Sequence, residues 1–140
     1  GSISYINDTT ASLQPIINKI EERQERKIGK IYYPAPYLSN ETLPYYTSAY
    51  DLDMRKVIDT YASAQQHVDQ GMSLTLFMRS SIPAGLYEWK DGRTDKMTTR
   101  DLSILRNYAH HKQIKSIYYV RTFTDTQDEV GVNECESCVI

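Results

Sequence analysis

Two apolar segments on either side of a helical segment constrain the fold of this chain most strongly. Residues 72–78, Met-Ser-Leu-Thr-Leu-Phe-Met, are mostly apolar and predict a buried strand. Residues 116–123 are rich in β-branched and aromatic side chains and predict a second strand. Between them, Thr98-Thr99-Arg100-Asp101 resembles a capping box and predicts a helix that ends near Lys112. Such a strand–helix–strand unit implies parallel strands joined by a right-handed crossover, so we expect an α/β fold.

Periodicity and turn residues predict the other elements less strongly. They are, in chain order, a polar loop with short helical turns over 2–12, a helix over 13–26, an irregular segment over 31–50, a helix over 54–70 capped by Asp51 or Asp53 and closed by Gly71, and a surface loop over 80–96.

The composition bounds the function as well as the fold. A chain of 140 residues is typical of one domain. Sixteen Lys and Arg against eighteen Asp and Glu give a net charge of −2, which argues against nucleic acid or anionic lipid as the main partner. No apolar run approaches the roughly 18 residues of a membrane helix, and no signal peptide opens the chain, so we expect a cytoplasmic protein. Twelve tyrosines against two phenylalanines leave open whether the phenols serve packing or chemistry.

Both cysteines lie near the end of the sequence, in Cys135-Glu136-Ser137-Cys138. Two cysteines are too few for a secreted disulfide scaffold, but their spacing is that of redox dithiols, in which one thiolate attacks and the other resolves. Half of a zinc site is the main alternative, although the sequence offers no second cysteine pair. The polar segment that begins at Thr124 predicts a flexible arm, which would let the dithiol reach up to roughly 40 Å from its anchor.

Four stretches together resemble one protein family. They are Gly1-Ser2-Ile3-Ser4-Tyr5-Ile6-Asn7, His67-Val68-Asp69-Gln70-Gly71, Lys115-Ser116-Ile117-Tyr118-Tyr119, and the pair Cys135 and Cys138. In this order they resemble the C-terminal part of the large (α) subunit of class I ribonucleotide reductase, and they are most similar to class Ib. The resemblance implies that residues 1–123 are the C-terminal portion of a ten-stranded α/β barrel. It implies that residues 124–140 are a flexible, redox-active tail.

The resemblance also implies a role for the two tyrosines on the last strand. In the family, such a pair relays an oxidising equivalent from the small subunit to the active-site cysteine. Tyr119 would be nearer the subunit interface, and Tyr118 nearer the cysteine. Neighbouring residues of a strand point to opposite faces, so two phenols in contact require a strand end or a local distortion. The alternative is that both tyrosines are packing residues.

Two further sites are implied at the ends of the chain. Cys135 and Cys138 match the family's shuttling dithiol, which reduces the active-site disulfide after each turnover and is then reduced by thioredoxin or a glutaredoxin-like redoxin. Gly1, Ser2 and Ile3 match the end of a family loop, Pro-Thr-Gly-Ser-Ile, that holds the substrate diphosphate. Gly-Ser is also the remnant that a cleaved affinity tag leaves, so both origins stay open.

The expected partners follow from the same resemblance. They are the remainder of the large subunit, in the same or a separate chain, the radical-generating small subunit, a redoxin and a ribonucleoside diphosphate substrate. We expect no cofactor in this chain, a dimetal/tyrosyl radical cofactor in the small subunit, and ATP or dATP effectors bound elsewhere in the large subunit. The family's radical-bearing cysteine lies upstream of these residues, so we expect no activity from the chain alone. The alternative function is a stand-alone thiol-redox or interaction module without reductase activity.

Overall fold

The computed structural model describes residues 2–25, 28–90 and 96–124. The helices and strands are, in chain order, α1 (Ser2–Ile6), β1 (Ile20–Glu25), β2 (Gly29–Pro34), α2 (Met54–Gln65), β3 (Leu74–Arg79), α3 (Thr99–His111) and β4 (Ile117–Phe123). Two short 3-10 turns, Leu43–Tyr45 and Ala49–Asp51, lie between β2 and α2.

The parallel pairing of β3 with β4 confirms the predicted strand–helix–strand unit. Five consecutive residues of β3, from Leu74 to Met78, are buried, as expected for a strand that is covered on both faces. The core around it consists of Ala49, Met54, Val57, Ile58, Tyr61, Leu74, Leu76, Phe77, Leu105, Ala109 and Ile114. These residues come from α2, β3 and α3 and from the segments next to them, so both long helices and β3 share one apolar core.

The capping box predicted for α3 is present. The Thr98 hydroxyl accepts a hydrogen bond from the backbone N–H of Asp101, and the Asp101 carboxylate accepts one from the backbone N–H of Thr98. Two of the donors that a helix start leaves without intrahelical partners are thereby satisfied. The helix then ends at His111, one residue before the predicted end.

The helix predicted over 54–70 ends early. Its start is confirmed, because the Asp53 carboxylate accepts a hydrogen bond of 2.9 Å from the backbone N–H of Arg55. It stops at Gln65, whose side-chain amide donates to the carbonyls of Val68 and Gln70, at 2.9 and 2.8 Å. The prediction that Gly71 closes this helix is therefore wrong, since the chain leaves the helix five residues earlier through a side-chain-stabilised turn.

The helix predicted over 13–26 is also wrong. Residues 20–25 form β1 instead, which pairs antiparallel with β2. The backbone carbonyls of Ile16 and Lys19 accept hydrogen bonds of 2.8 Å from the N–H groups of Ala49 and Ala35. Long-range partners thus occupy carbonyls that a helix would use internally. Strand β2 likewise replaces the start of the segment predicted to be irregular.

Within the described ranges the strands form two separate two-stranded sheets, and they do not close a barrel. The predicted α/β class is confirmed, since helices and a parallel strand pair share the core. In the same part of the chain, no helix has both the length and the apolar character needed to cross a membrane.

Candidate functional site

Tyr118 and Tyr119 form a close pair on β4. Their hydroxyl groups are 3.3 Å apart, with Tyr119 donating to Tyr118, and their ring centroids are 4.1 Å apart with an interplanar angle of 61°. Their side chains are 62% and 40% exposed, respectively. A hydrogen bond between two phenols gives a direct route for moving a proton and an electron together, so this pair is the candidate site.

A β-bulge explains how neighbouring strand residues come to lie side by side. Leu74 is the register partner of Ile117, whereas the next residue, Thr75, is the partner of Tyr119. Tyr118 is therefore an extra residue in β4, and the regular alternation of faces is interrupted there. The local distortion that a phenol pair requires is present at this position.

Arg121 is a charged neighbour of the pair that the sequence analysis missed. Its guanidinium carbon lies 5.9 Å from the centroid of the Tyr119 ring, within the range of a cation–π contact. Burial raises the pKa of the half-buried Tyr50, and the positive charge of Arg121 acts to lower it. Because residues two apart on a strand share a face, the spacing of Tyr119 and Arg121 is the signal that would have identified this neighbour.

The aromatic ring of Tyr50 lies between the core and the face of β4 that carries Tyr119 and Arg121. It packs edge-on against Phe77, with ring centroids 5.4 Å apart, and in a tilted arrangement against Phe123, at 5.3 Å. Arg79 lies 5.2 Å from the Phe123 ring and forms a 2.6 Å ion pair with Asp51. The far end of β4 is thus held by aromatic and cation–π contacts of Phe123, beyond the tyrosine pair.

The structure describes only some of the remaining predicted site residues. Ser2 and Ile3 belong to α1, and the Ile3 side chain is 75% exposed. Gly1, Cys135 and Cys138 lie outside the described residues. Among the residues that are described, no group of three or more His, Cys, Asp and Glu side chains could hold a metal ion.

An open cavity of about 250 Å³ lies between the end of α3 and the start of β4. Arg106, His110 and Lys115 contribute basic groups to its lining. The Lys115 ammonium already donates to the backbone carbonyls of Val68 and Asp69, so its charge is used to fix the connection into β3. The cavity is accordingly a weaker candidate than the tyrosine pair.

Comparisons with known proteins point to one family. A family model described as "Ribonucleotide reductase, barrel domain" matches residues 1–120. The chain is 45% identical over 140 residues to the ribonucleoside-diphosphate reductase subunit alpha of Bacillus subtilis (strain 168), covering 100% of this chain and 17% of that protein. It is 43% identical over 146 residues to the protein of the same name in Mycoplasma pneumoniae, covering 100% of this chain and 18% of that protein.

A more distant relative agrees. The subunit alpha of Helicobacter pylori is 34% identical over 141 residues, covering 98% of this chain and 16% of that protein. The chain therefore spans less than a fifth of the length of these relatives. The resemblance inferred from the four sequence stretches is confirmed.

Proposed function

Since this chain belongs to the ribonucleotide reductase barrel-domain family, we propose that it serves as the C-terminal part of the large subunit of a ribonucleoside-diphosphate reductase. That enzyme reduces ribonucleotides to deoxyribonucleotides by radical chemistry. The chain contributes two components, a tyrosine relay and a reducing dithiol. The observation that carries the proposal is the 3.3 Å contact between the hydroxyls of Tyr118 and Tyr119 at the bulge in β4.

The relay moves a hydrogen atom from one phenol to the other. Tyr119 gives one electron and one proton to the oxidant of the small subunit and becomes a neutral phenoxyl radical. The Tyr118 hydroxyl then gives one electron and one proton to the Tyr119 oxygen, which restores the Tyr119 phenol and leaves the radical on Tyr118. A cysteine thiol elsewhere in the large subunit restores Tyr118 in the same way and becomes a thiyl radical. No buried charge forms at any step, which avoids the cost of burying an unpaired ion.

The exposure of the pair supports the existence of two covering partners. A phenoxyl radical in contact with water and reductants is lost to side reactions, and active sites prevent this by excluding water. Tyr118 and Tyr119 are 62% and 40% exposed in this chain alone. The remainder of the large subunit would cover Tyr118, and the small subunit, which holds the dimetal/tyrosyl radical cofactor, would cover Tyr119.

The second component is the dithiol of residues 124–140. Cys135 and Cys138 give two electrons and two protons to the disulfide that each turnover leaves in the active site, and they become a disulfide themselves. The dithiol of thioredoxin or a glutaredoxin-like redoxin then reduces it by thiol–disulfide exchange. This role rests on the spacing of the cysteines and on the family, with residues 1–123 acting as the barrel segment that anchors the tail.

The start of the chain contributes to substrate binding. Gly1, Ser2 and Ile3 would be the end of the loop that holds the diphosphate of a ribonucleoside diphosphate. This role rests on the match of Gly1, Ser2 and Ile3 to the end of the family's Pro-Thr-Gly-Ser-Ile loop. The substrate and the ATP or dATP effectors would otherwise contact parts of the large subunit outside this chain.

A pull-down followed by a reduction assay tests the proposal. The chain is used as bait in an extract of its native source, and the recovered complex is supplied with CDP, thioredoxin and its reductant. We expect the rest of the large subunit and a metal-containing small subunit to be recovered, and the complex to form dCDP. Recovery of the chain alone, or with only a thioredoxin, would overturn the proposal and favour the stand-alone thiol module.

A further inference from the structure

The side chain of Gln14 forms hydrogen bonds on both sides of Leu74, next to the register shift that produces the β-bulge and the tyrosine pair. Its amide nitrogen donates to the backbone carbonyl of Ser73 at 3.1 Å and to the hydroxyl of Thr75 at 3.0 Å. Ser73 and Thr75 lie on either side of Leu74, and the change of register occurs at the step from Leu74 to Thr75. One side chain, sixty residues away in sequence, therefore holds both sides of the irregular step.

We propose that Gln14 is a positioning residue for radical transfer, because it fixes the bulge that brings the Tyr118 hydroxyl to the Tyr119 hydroxyl. This inference rests on the proposed relay and adds a residue to it. Gln14 touches neither phenol in the contacts described above; it acts through Thr75, the register partner of Tyr119.

The segment that carries Gln14 is itself anchored. The backbone N–H of Ala49 donates to the Ile16 carbonyl at 2.8 Å, and the Ser48 hydroxyl donates to the Ile17 carbonyl at 2.6 Å. Gln14 thus projects from a segment held against the body of the protein. Its two hydrogen bonds transmit that fixed position to β3.

The acceptors of these bonds are also fixed. The Thr75 side chain belongs to a residue that is only 3% exposed. The Ser73 carbonyl accepts a second, longer hydrogen bond of 3.4 Å from the hydroxyl of Tyr61, which is buried in the core. The buried Thr75 hydroxyl is costly to leave without its donor, so it favours the single register that satisfies it.

The chemistry of a primary amide suits this task. Its two N–H groups point in different directions, so one nitrogen can serve a carbonyl and a hydroxyl two residues apart. A carboxylate of the same shape has no N–H to give to the Ser73 carbonyl and would repel it. Without the bridge, β4 could return to a regular register, in which Tyr118 and Tyr119 point to opposite faces of the sheet.

The test measures transfer between the two tyrosines directly. The assembled large subunit, with its small subunit, carries 3-aminotyrosine at position 118 or at position 119. This analogue is oxidised more easily than tyrosine and retains the radical, which is quantified by electron paramagnetic resonance. In Gln14→Glu we expect the signal at position 119 to be unchanged. At position 118 we expect the signal to fall by about tenfold or more, and in the Gln14→Glu enzyme with both tyrosines intact we expect dCDP formation to fall by a similar factor.

Matched variants separate positioning from general damage. Thr75→Val removes the acceptor hydroxyl while keeping the shape, and it should reproduce the loss at position 118. Thr75→Ser keeps the hydroxyl and should therefore keep the transfer that Thr75→Val loses. The control for Gln14→Glu is Gln66→Glu, which makes the same chemical change at an exposed position beyond α2. A signal at position 118 that stays at the level of the unaltered protein in both Gln14→Glu and Thr75→Val would overturn the role of Gln14. Normal dCDP formation by Tyr118→Phe would instead overturn the relay itself, so the two failures are distinguishable.

Discussion

Tyr118 and Tyr119 are adjacent in sequence and yet lie with their hydroxyls 3.3 Å apart, because Tyr118 is the extra residue of a bulge in β4. In a regular strand the two side chains would point to opposite faces of the sheet. The bulge therefore brings together two hydroxyls that a regular strand would hold on opposite faces.

Replacing either tyrosine with phenylalanine should abolish turnover without unfolding the protein. Tyr118→Phe and Tyr119→Phe remove the hydroxyl that carries the proton, whereas the ring remains to pack. Since both side chains are substantially exposed, we expect the free energy of unfolding to change by no more than about 0.5 kcal/mol. A CDP reduction assay and an unfolding curve measure the two effects. Tyr45→Phe, at a residue whose side chain is 85% exposed, is a suitable control.

Removing either tail cysteine should affect turnover with one reductant and spare it with another. Cys135→Ser and Cys138→Ser should retain turnover when dithiothreitol reduces the active site directly, but they should lose it when thioredoxin is the reductant. A single thiol can attack the active-site disulfide but has no partner to resolve the mixed disulfide. Assays of dCDP formation, one with dithiothreitol and one with thioredoxin and its reductant, measure the effect. Equal activity with both reductants would contradict the role of the tail.

The strand–helix–strand unit could be predicted because its signals are local and consistent. A run of apolar residues identifies β3, and the pattern from Thr98 to Asp101 fixes the start of α3 within one residue. The helix prediction for 13–26 failed because the contacts that decide its structure are long-range. Its apolar spacing fits a helix, but the backbone of Ile16 and Lys19 is bonded to distant parts of the chain, and spacing carries no information about such partners.

The candidate site, too, could be predicted from the sequence only in part. The family resemblance singled out the two tyrosines as candidates, and strand geometry indicated that a distortion between them was required. The means by which the distortion is held could not be identified, because Gln14 reaches Ser73 and Thr75 across about sixty residues of sequence. Contacts of this kind depend on the tertiary fold and leave no periodic signal.

Neutralising Asp101 should weaken the start of α3 in a pH-dependent manner. The Lys90 and Asp101 side chains are 7% and 10% exposed and form a 2.5 Å ion pair. Burial acts to raise the pKa of the Asp101 carboxyl, but hydrogen bonds from Lys90 and Thr98 outweigh it and hold the pKa below its ordinary value of 3.8. The stabilisation is therefore complete above that ordinary value and is lost as the pH falls towards the lower, folded-state pKa.

We expect Asp101→Asn to cost about 3–5 kcal/mol at neutral pH, because it leaves the Lys90 ammonium buried without a counter-ion. Hydrogen exchange of the α3 amides, followed from about pH 7 down to about pH 3, measures the loss. The difference between the variant and the unaltered protein should shrink at the acidic end of this range. A difference that does not depend on pH would contradict the role of the ion pair. Asp69→Asn, at an exposed residue, provides the control.

The small size of Gly71 is required by its contact with the start of β4. A Cβ atom at this position would lie 2.7 Å from the Ser116 hydroxyl oxygen and 3.3 Å from the Ser116 Cβ. That hydroxyl donates a 3.0 Å hydrogen bond to the Met72 carbonyl, so Gly71→Ala must displace it and should cost about 1 kcal/mol in the free energy of unfolding. In a Ser116→Gly background both obstructing atoms are absent, and the same substitution should cost measurably less. Urea unfolding of the four proteins of this double-mutant cycle measures the coupling, and strictly additive costs would contradict the close contact as the reason for the glycine.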